Sequence, residues 1–315
     1  MRMLLLFWLA PIWLFAQSDL VEVINFGDNP AGMKLFVHAS KGLDASYKGV
    51  LLVLHGCTQG PEAISRESGW NKLADASGML VIYAGQALLN NPSRCFNWFL
   101  PSGNTKQGSE VRSLMSMIDY VQKRMHIPDK QVFLFGVSAG ACMALNLGSL
   151  YPERFAGIAS AAGVPVGKEN DPLRKLSAII YNEKVDESQL QNAVKERVKG
   201  FEGNLPLLVL AQGGKDPLVN PDEMEAIVHQ WLVAQDADLN ADSEEFIFEK
   251  PLVERKIYMN NSGDTLVVSF LIQSLGHALP IDVGSAVNQG GAVGLWTKDV
   301  DFHLPYWIAK EFGWK

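Results

Sequence analysis

Cysteine is scarce in this chain: Cys57, Cys95 and Cys142 are the whole complement of 315 residues. Three cysteines without a C-x-x-C pair exclude a disulfide scaffold, a structural zinc site and a dithiol redox motif, and leave room for at most one disulfide. Positive charge is short as well. Lys and Arg number 27 against 34 Asp and Glu, a net charge of −7, and no basic stripe offers itself to phosphates. That balance argues against a nucleic-acid partner. No H-E-x-x-H, Walker A or G-x-G-x-x-G string occurs, so zinc-protease, nucleotide and dinucleotide chemistry find no support. Repeats and low-complexity linkers are also missing between residues 19 and 315, so a single domain is expected. With 48% hydrophobic and 19% charged residues, that domain has the composition of a packed globule.

Long apolar runs are absent except at the N-terminus. Met1-Arg2-Met3 precedes an apolar run from Leu4 to Phe15, and Ala16-Gln17-Ser18 comes before the first acid, Asp19. A bilayer span needs about 20 apolar residues, and this run is shorter, with one positive charge before it and small residues after it. Residues 1–16 are therefore expected to be a signal peptide, the alternative being an uncleaved anchor, and residues 17–315 a single secreted or periplasmic domain with no membrane contact after cleavage. Export makes a disulfide chemically accessible.

Short apolar runs followed by turn residues read as buried strands at Lys34 to Val37, Val50 to Leu54, Met79 to Tyr83, Val132 to Phe135, Gly157 to Ala161 and Leu205 to Leu210. Between them lie helical patterns at Ser109 to Met125, Ala139 to Leu150 and Asp222 to Gln235. In the first of these, Val111, Leu114, Met115, Ile118 and Val121 share one face. Alternating strands and helices imply an α/β fold with a mostly parallel sheet and helices on both faces. The runs at Val21 to Ile24 and Lys34 to Val37 fit an antiparallel edge hairpin. Residues 166–204 and 280–300 show no clear period and read as insertions.

The run Val132 to Phe135 leads into Gly136-Val137-Ser138-Ala139-Gly140 and then a helix of small residues. A bare G-x-S-x-G is common, but at a strand-to-helix turn it has the setting of a nucleophile elbow, with Ser138 exposed at a helix N-terminus. The bland alternative is Ser138 as an N-cap. A serine nucleophile needs a base. Of six histidines, His38 ends an edge strand, His126 a helix, His229 rides an amphipathic helix, His303 leads into the C-terminal segment, and His55 reads as loop support. His277 follows the run Leu266 to Ile272 in Gly276-His277-Ala278, on the side of a parallel sheet where ligands bind. Asp216, in the turn after Leu205 to Leu210, completes the chain order Ser138, Asp216, His277 expected of an α/β-hydrolase. Asp264 and Asp282 are weaker competitors. For the oxyanion hole the expected donors are the N–H of Ala139 and that of Cys57, in the loop His55-Gly56-Cys57-Thr58-Gln59 after an early strand.

Taken together, His55-Gly56-Cys57-Thr58-Gln59, Arg94-Cys95-Phe96-Asn97-Trp98-Phe99, Gly136-Val137-Ser138-Ala139-Gly140 and Gly276-His277-Ala278 resemble the secreted polyhydroxyalkanoate depolymerase family of esterases, which is related to feruloyl and acetylxylan esterases. The resemblance spans roughly residues 35–280. It implies an α/β-hydrolase fold, the Ser138, Asp216, His277 triad, no cofactor and no metal, and hydrolysis of small or oligomeric carboxylic esters through an acyl-enzyme. It places Trp98 in an aromatic substrate crevice, although a core position fits Trp98 equally well. Phe96 and Phe99 extend the same expected wall. With export and the placement of these strings, it also implies a Cys57–Cys95 disulfide that leaves Cys142 reduced. After His277 the family continues with Trp and Gly-rich residues, whereas Leu279-Pro280-Ile281-Asp282 stands here. No separate polymer-binding module is visible, so soluble esters are expected over polymer. A serine peptidase on the same fold, or a noncatalytic carbohydrate-binding protein with a hydrolase fold, are the alternative readings.

Overall fold

The computed structural model describes residues 20–43, 45–168 and 187–314, so the expected signal peptide at 1–16 lies outside the described residues, as does 169–186 of the expected insertion. Ten strands form one sheet. In chain order they are β1 (Leu20–Val23), β2 (Lys34–His38), β3 (Val50–Leu54), β4 (Leu80–Gly85), β5 (Val132–Val137), β6 (Gly157–Ala161), β7 (Leu207–Gly213), β8 (Ser243–Glu249), β9 (Leu252–Met259) and β10 (Thr265–Ile272). In space they run β1-β2-β4-β3-β5-β6-β7-β10-β9-β8. The six central strands from β4 to β10 are parallel. β1 and β2 pair antiparallel at one edge, as the edge-hairpin reading expects, and β9 and β8 do so at the other.

Every residue of β3, β4, β5 and β6 is buried, because helices cover both faces and leave neither side of the pleat to water. The two-residue alternation sends Val50, Leu52 and Leu54 into one core layer and Leu51 and Val53 into the other. Residues of the helices Ser109–Arg124, Ala139–Leu150 and Asp222–Val233 fill the first layer, and residues of Pro61–Ser68, Trp70–Ser77 and Leu304–Glu311 the second. This is the α/β-hydrolase arrangement. It leaves the C-terminal ends of β3, β5, β7 and β10 along the same edge of the parallel sheet, with β6 between β5 and β7, and the loops that leave those ends carry the candidate site.

Both stretches that read as insertions without a period carry regular structure, and the strands β8 and β9 have no counterpart in the sequence reading. The described part of 166–204 includes the helix Glu187–Arg197, in which Val194 is fully buried and the apolar stripe is too narrow to show as a period. The stretch 280–300 includes part of a small parallel sheet, β11 (Leu279–Ile281) with β12 (Thr297–Asp299), whose three-residue strands carry no readable alternation. Among the described residues no helix is long and apolar enough to cross a membrane.

Candidate active site

Ser138 sits between β5 and the helix Ala139–Leu150 with φ 55° and ψ −120°. Such a conformation costs a non-glycine residue of order 1–3 kcal/mol and persists only where its surroundings hold it. Its N–H donates to the Ala161 carbonyl at 2.9 Å, and its own carbonyl accepts from Cys142 N–H at 3.1 Å. The flanking glycines are steric necessities. A Cβ on Gly136 would lie 2.1 Å from the Gly140 carbonyl oxygen, and one on Gly140 would lie 2.2 Å from that of Leu54. The G-x-S-x-G spacing thus lets the helix start press against the end of β3, which brings the Gly56 loop alongside Ser138.

His277 and Asp216 leave the ends of the neighbouring strands β10 and β7. His277 Nε2 lies 3.1 Å from Ser138 Oγ, and His277 Nδ1 lies 2.7 Å from Asp216 Oδ2. The Asp216 side chain is wholly buried. Its Oδ1 accepts the N–H groups of Leu218 and Val219 at 2.8 and 2.9 Å, and its Oδ2 also accepts Gln212 Nε2 at 3.1 Å. Burial by itself would raise the carboxyl pKa, but the bonds from His277, Val219 and Leu218 outweigh it and hold the group below its ordinary range. A fixed anion therefore faces Nδ1 and selects the tautomer with its proton there, so that Nε2 presents a lone pair to Ser138.

The two expected oxyanion donors border the same point. Ala139 opens its helix, so its N–H has no partner four residues back. Cys57 lies in a loop held by three ties. Gln59 Oε1 accepts the Gly56 N–H at 3.1 Å while its Nε2 donates to Glu67 at 3.4 Å. Trp296 Nε1 donates to Thr58 Oγ1 at 2.9 Å. A disulfide joins Cys57 to Cys95, and Cys142 is buried outside it. On the far side of that bond, the buried Glu110 accepts both the N–H and the side-chain amide of Asn97, at 2.9 and 2.5 Å, and so anchors the segment that carries Cys95 and Trp98. Burial pushes the Glu110 pKa up, against the lowering effect of the Asn97 bonds.

Of the other histidines, His126 is exposed and the remaining four occupy supporting positions. His55 is buried, donates from Nδ1 to the Gly56 carbonyl at 2.7 Å and accepts the Gln86 N–H on Nε2 at 3.2 Å. Burial pushes its pKa down to about 4, so it is neutral at pH 7. His38 Nε2 meets Asp75 at 2.8 Å, His303 Nε2 donates to the Ser68 carbonyl at 3.0 Å, and His229 Nε2 lies 3.9 Å from Glu225 on a helix.

Two cavities open around Ser138. The larger, ≈ 170 Å³, is walled by Gly56, Leu218, Val219, His277, Ala278 and Trp296. The smaller, ≈ 40 Å³, is walled by Cys57, Cys95, Trp98, Phe99, Cys142 and Val164. Trp98 is only 4% exposed, so it is both a core side chain and a wall of the smaller cavity. Phe99 stands edge-on to it at 5.4 Å. Phe96, expected in the same wall, is fully buried against His55 and lines neither cavity, because Asn97 turns the chain between them. Sequence reasoning missed Trp296, whose ring stands edge-on to His277 at 5.9 Å. A lone tryptophan in a Gly-rich stretch was the one available signal. Asp282, Asp299 and Asp301 bring carboxylate oxygens within 4.8 Å of one another, but they line neither cavity.

The family model described as esterase PHB depolymerase matches residues 35–241. Poly(3-hydroxyalkanoate) depolymerase C of Paucimonas lemoignei is 31% identical over 308 residues, covering 96% of this chain and 73% of its own. Feruloyl esterase B of Talaromyces stipitatus is 25% identical over 306 residues, 92% of this chain and 80% of its own. Among solved structures, an acetyl xylan esterase from Aspergillus awamori shares the fold with a TM-score of 0.72 at 21% identity, over 82% of this chain and 93% of that one. Matched by the family model over more than half its length and aligned almost end to end with a depolymerase, the chain belongs to the esterase PHB depolymerase family and is a carboxylic ester hydrolase of the α/β-hydrolase fold.

Proposed function

We propose that residues 17–315 form a single exported catalytic domain, freed of a signal peptide at 1–16, that hydrolyses carboxylic esters through Ser138, His277 and Asp216. The observation that carries this reading is the unbroken hydrogen-bonded line from Asp216 through both nitrogens of His277 to Ser138 Oγ. Ser138 Oγ attacks the ester carbonyl while His277 Nε2 takes its proton, and the N–H groups of Ala139 and Cys57 receive the oxyanion. The carbon–oxygen bond to the alcohol then breaks, and His277 returns the proton to the departing oxygen. Water repeats the sequence on the acyl-enzyme: its proton goes to His277 and then to Ser138, and the free acid leaves. Asp216 stays ionised throughout and stabilises the imidazolium. No resident cofactor is required by this chemistry.

The substrates proposed are hydroxyalkanoate oligomers or the acetyl and feruloyl esters of sugars, the classes named in the relatives. A panel of short aryl esters, acetylated xylan, feruloylated sugars, soluble hydroxybutyrate oligomers and polyhydroxybutyrate film tests the reading. Hydrolysis of soluble esters faster than film is the expected result, and failure on every ester would refute it. One observation favours a second reading. Val287, Val293 and Leu295 are 70%, 66% and 79% exposed in the segment that ends at Trp296 beside the larger cavity. Exposed apolar groups in a segment leading to a cavity wall are suited to resting on an apolar solid, and clearing of film as fast as oligomer would establish that reading instead.

A further inference from the structure

We infer that the ≈ 40 Å³ cavity is the acyl chamber of this enzyme and that its walls, Trp98, Cys142 and Val164 among them, restrict the acid half of the ester to short aliphatic chains. The assignment rests on the triad reading above and follows from where each atom of the reacting ester has to go. The carbonyl carbon meets Ser138 Oγ and the carbonyl oxygen turns toward the N–H groups of Ala139 and Cys57. The alcohol oxygen must lie within reach of His277 Nε2, the only group in the triad that can hand it a proton as the carbon–oxygen bond breaks. His277 lines the larger cavity and not the smaller one. The alcohol half therefore leaves through the side walled by His277, Ala278, Trp296 and Leu218. The remaining substituent of the carbonyl carbon, the acyl chain, points the other way, into the chamber that Ser138 and Ala139 share with the disulfide.

The size of that chamber then sets the chemistry. One water-sized centre takes about 10–15 Å³, so the chamber holds roughly three methyl- or methylene-sized groups beyond the carbonyl. Acetyl fits loosely and butyryl fills it. A hexanoyl, octanoyl or feruloyl group does not enter unless the walls move. Those walls are stiff. Trp98 is pinned by its carbonyl to Asn146 Nδ2 at 2.7 Å, Val164 N–H donates to Cys142 Sγ at 3.4 Å, and the floor is closed by the Cys57–Cys95 bond. Apart from Ser138 the lining is apolar, with the sulfur atoms of the disulfide and of Cys142 among it, so it offers the acid half contact area and no charged partner. Of the acids named among the relatives, acetyl is admitted and feruloyl is excluded from the acyl side.

The test holds the alcohol constant and varies the acid: p-nitrophenyl acetate, butyrate, hexanoate and octanoate, with methyl butyrate against methyl ferulate as a second pair. For the native enzyme kcat/KM should be greatest at acetate or butyrate and fall roughly tenfold or more by octanoate, with ferulate rejected. Val164→Ala removes two methyl groups from the wall and should carry the optimum toward hexanoate. Trp98→Ala, if it folds, should carry it further, to octanoate. In a companion series of acetates with different alcohols, both variants should keep the native order. Octanoate or ferulate esters cleaved as fast as butyrate by the native enzyme would overturn the assignment, as would chamber variants that reorder the alcohols and leave the acyl profile unmoved. Ser138→Ala separates the two levels. If it is inactive while the acyl profile fails to move in Val164→Ala, the chamber assignment alone is wrong. If it still hydrolyses esters, the triad reading fails and the assignment with it.

Discussion

Gln59 lines the larger cavity with Ser138 and His277, and its side-chain amide bonds to Gly56 and Glu67, holding the loop that carries the proposed second oxyanion donor. Gln59→Leu keeps most of the volume and deletes both bonds, the one accepted from Gly56 N–H at 3.1 Å and the one donated to Glu67 at 3.4 Å. The Gly56 N–H is then buried without an acceptor, which costs about 1–3 kcal/mol of stability. The catalytic cost is bounded from above by the complete loss of one oxyanion donor, about 2.7–4 kcal/mol. The disulfide at Cys57 and the Trp296–Thr58 bond remain, so the loop is loosened rather than displaced. The transition state should therefore lose about 1–2 kcal/mol, a fall of roughly 5- to 30-fold in kcat, with kcat/KM falling in step. Steady-state kinetics on p-nitrophenyl acetate and a thermal melt of the same preparation measure both effects. A lowered Tm with unchanged kcat would show that Gln59 supports the fold alone, and the loop-positioning argument would be refuted.

Asp216→Asn should retain the fold and lower kcat by about 10⁴-fold, because the amide no longer selects the tautomer with its proton on Nδ1; a loss under tenfold in steady-state assays would contradict the role of Asp216. Trp296→Ala removes the ring beside His277 and the bond to Thr58, and should raise KM for esters of bulky alcohols well above its effect on methyl esters. Equal effects on both would count against a wall on the alcohol side. His55 predicts an acid limit to stability. Its pKa falls from 6.5 to about 4 on folding, so between those values the unfolded chain binds a proton that the folded chain refuses. The stabilisation is complete above pH 6.5 and is lost as pH falls toward 4, by about 3 kcal/mol in all. His303 shifts in the same direction through burial, while Glu110, raised by burial, works in the opposite sense. An NMR titration of the His55 ring isolates the effect: no protonation should be seen between pH 7 and 5, and a midpoint near 6.5 would contradict it.

The central strands were legible because burial on both faces forces unbroken apolar runs, as in Val50–Leu54 and Val132–Val137. The long helix at Ser109 was legible because one face is buried and the other wet, which gives a period. The edge strand Ser243–Glu249 and its neighbour Leu252–Met259 were not. They are largely exposed or half-buried and carry paired charges such as Glu244 and Lys256, so nothing distinguishes them from loops until the pairing is known. At the site, Ser138, Asp216 and His277 could be chosen because each follows the end of a strand, and the structure brings the three within hydrogen-bonding distance. Trp296 could not. It reaches the site through a bond to Thr58, a residue 238 positions away, by way of β11 and β12, and no local pattern encodes that contact. The crossing of Phe96 out of the expected aromatic wall has a similar cause, since which way a side chain points in an irregular loop is set by anchors such as Glu110 and not by spacing.

The most direct test of the Ser138–His277–Asp216 account is covalent labelling by a fluorophosphonate, which reports an activated serine without assuming any substrate. Mass spectrometry of the native protein should find the phosphonyl group on Ser138 alone. Labelling and esterase activity should both disappear in Ser138→Ala, while labelling should slow sharply in His277→Ala, with circular dichroism unchanged in each. A label on another residue, or undiminished labelling and hydrolysis in Ser138→Ala, would contradict it.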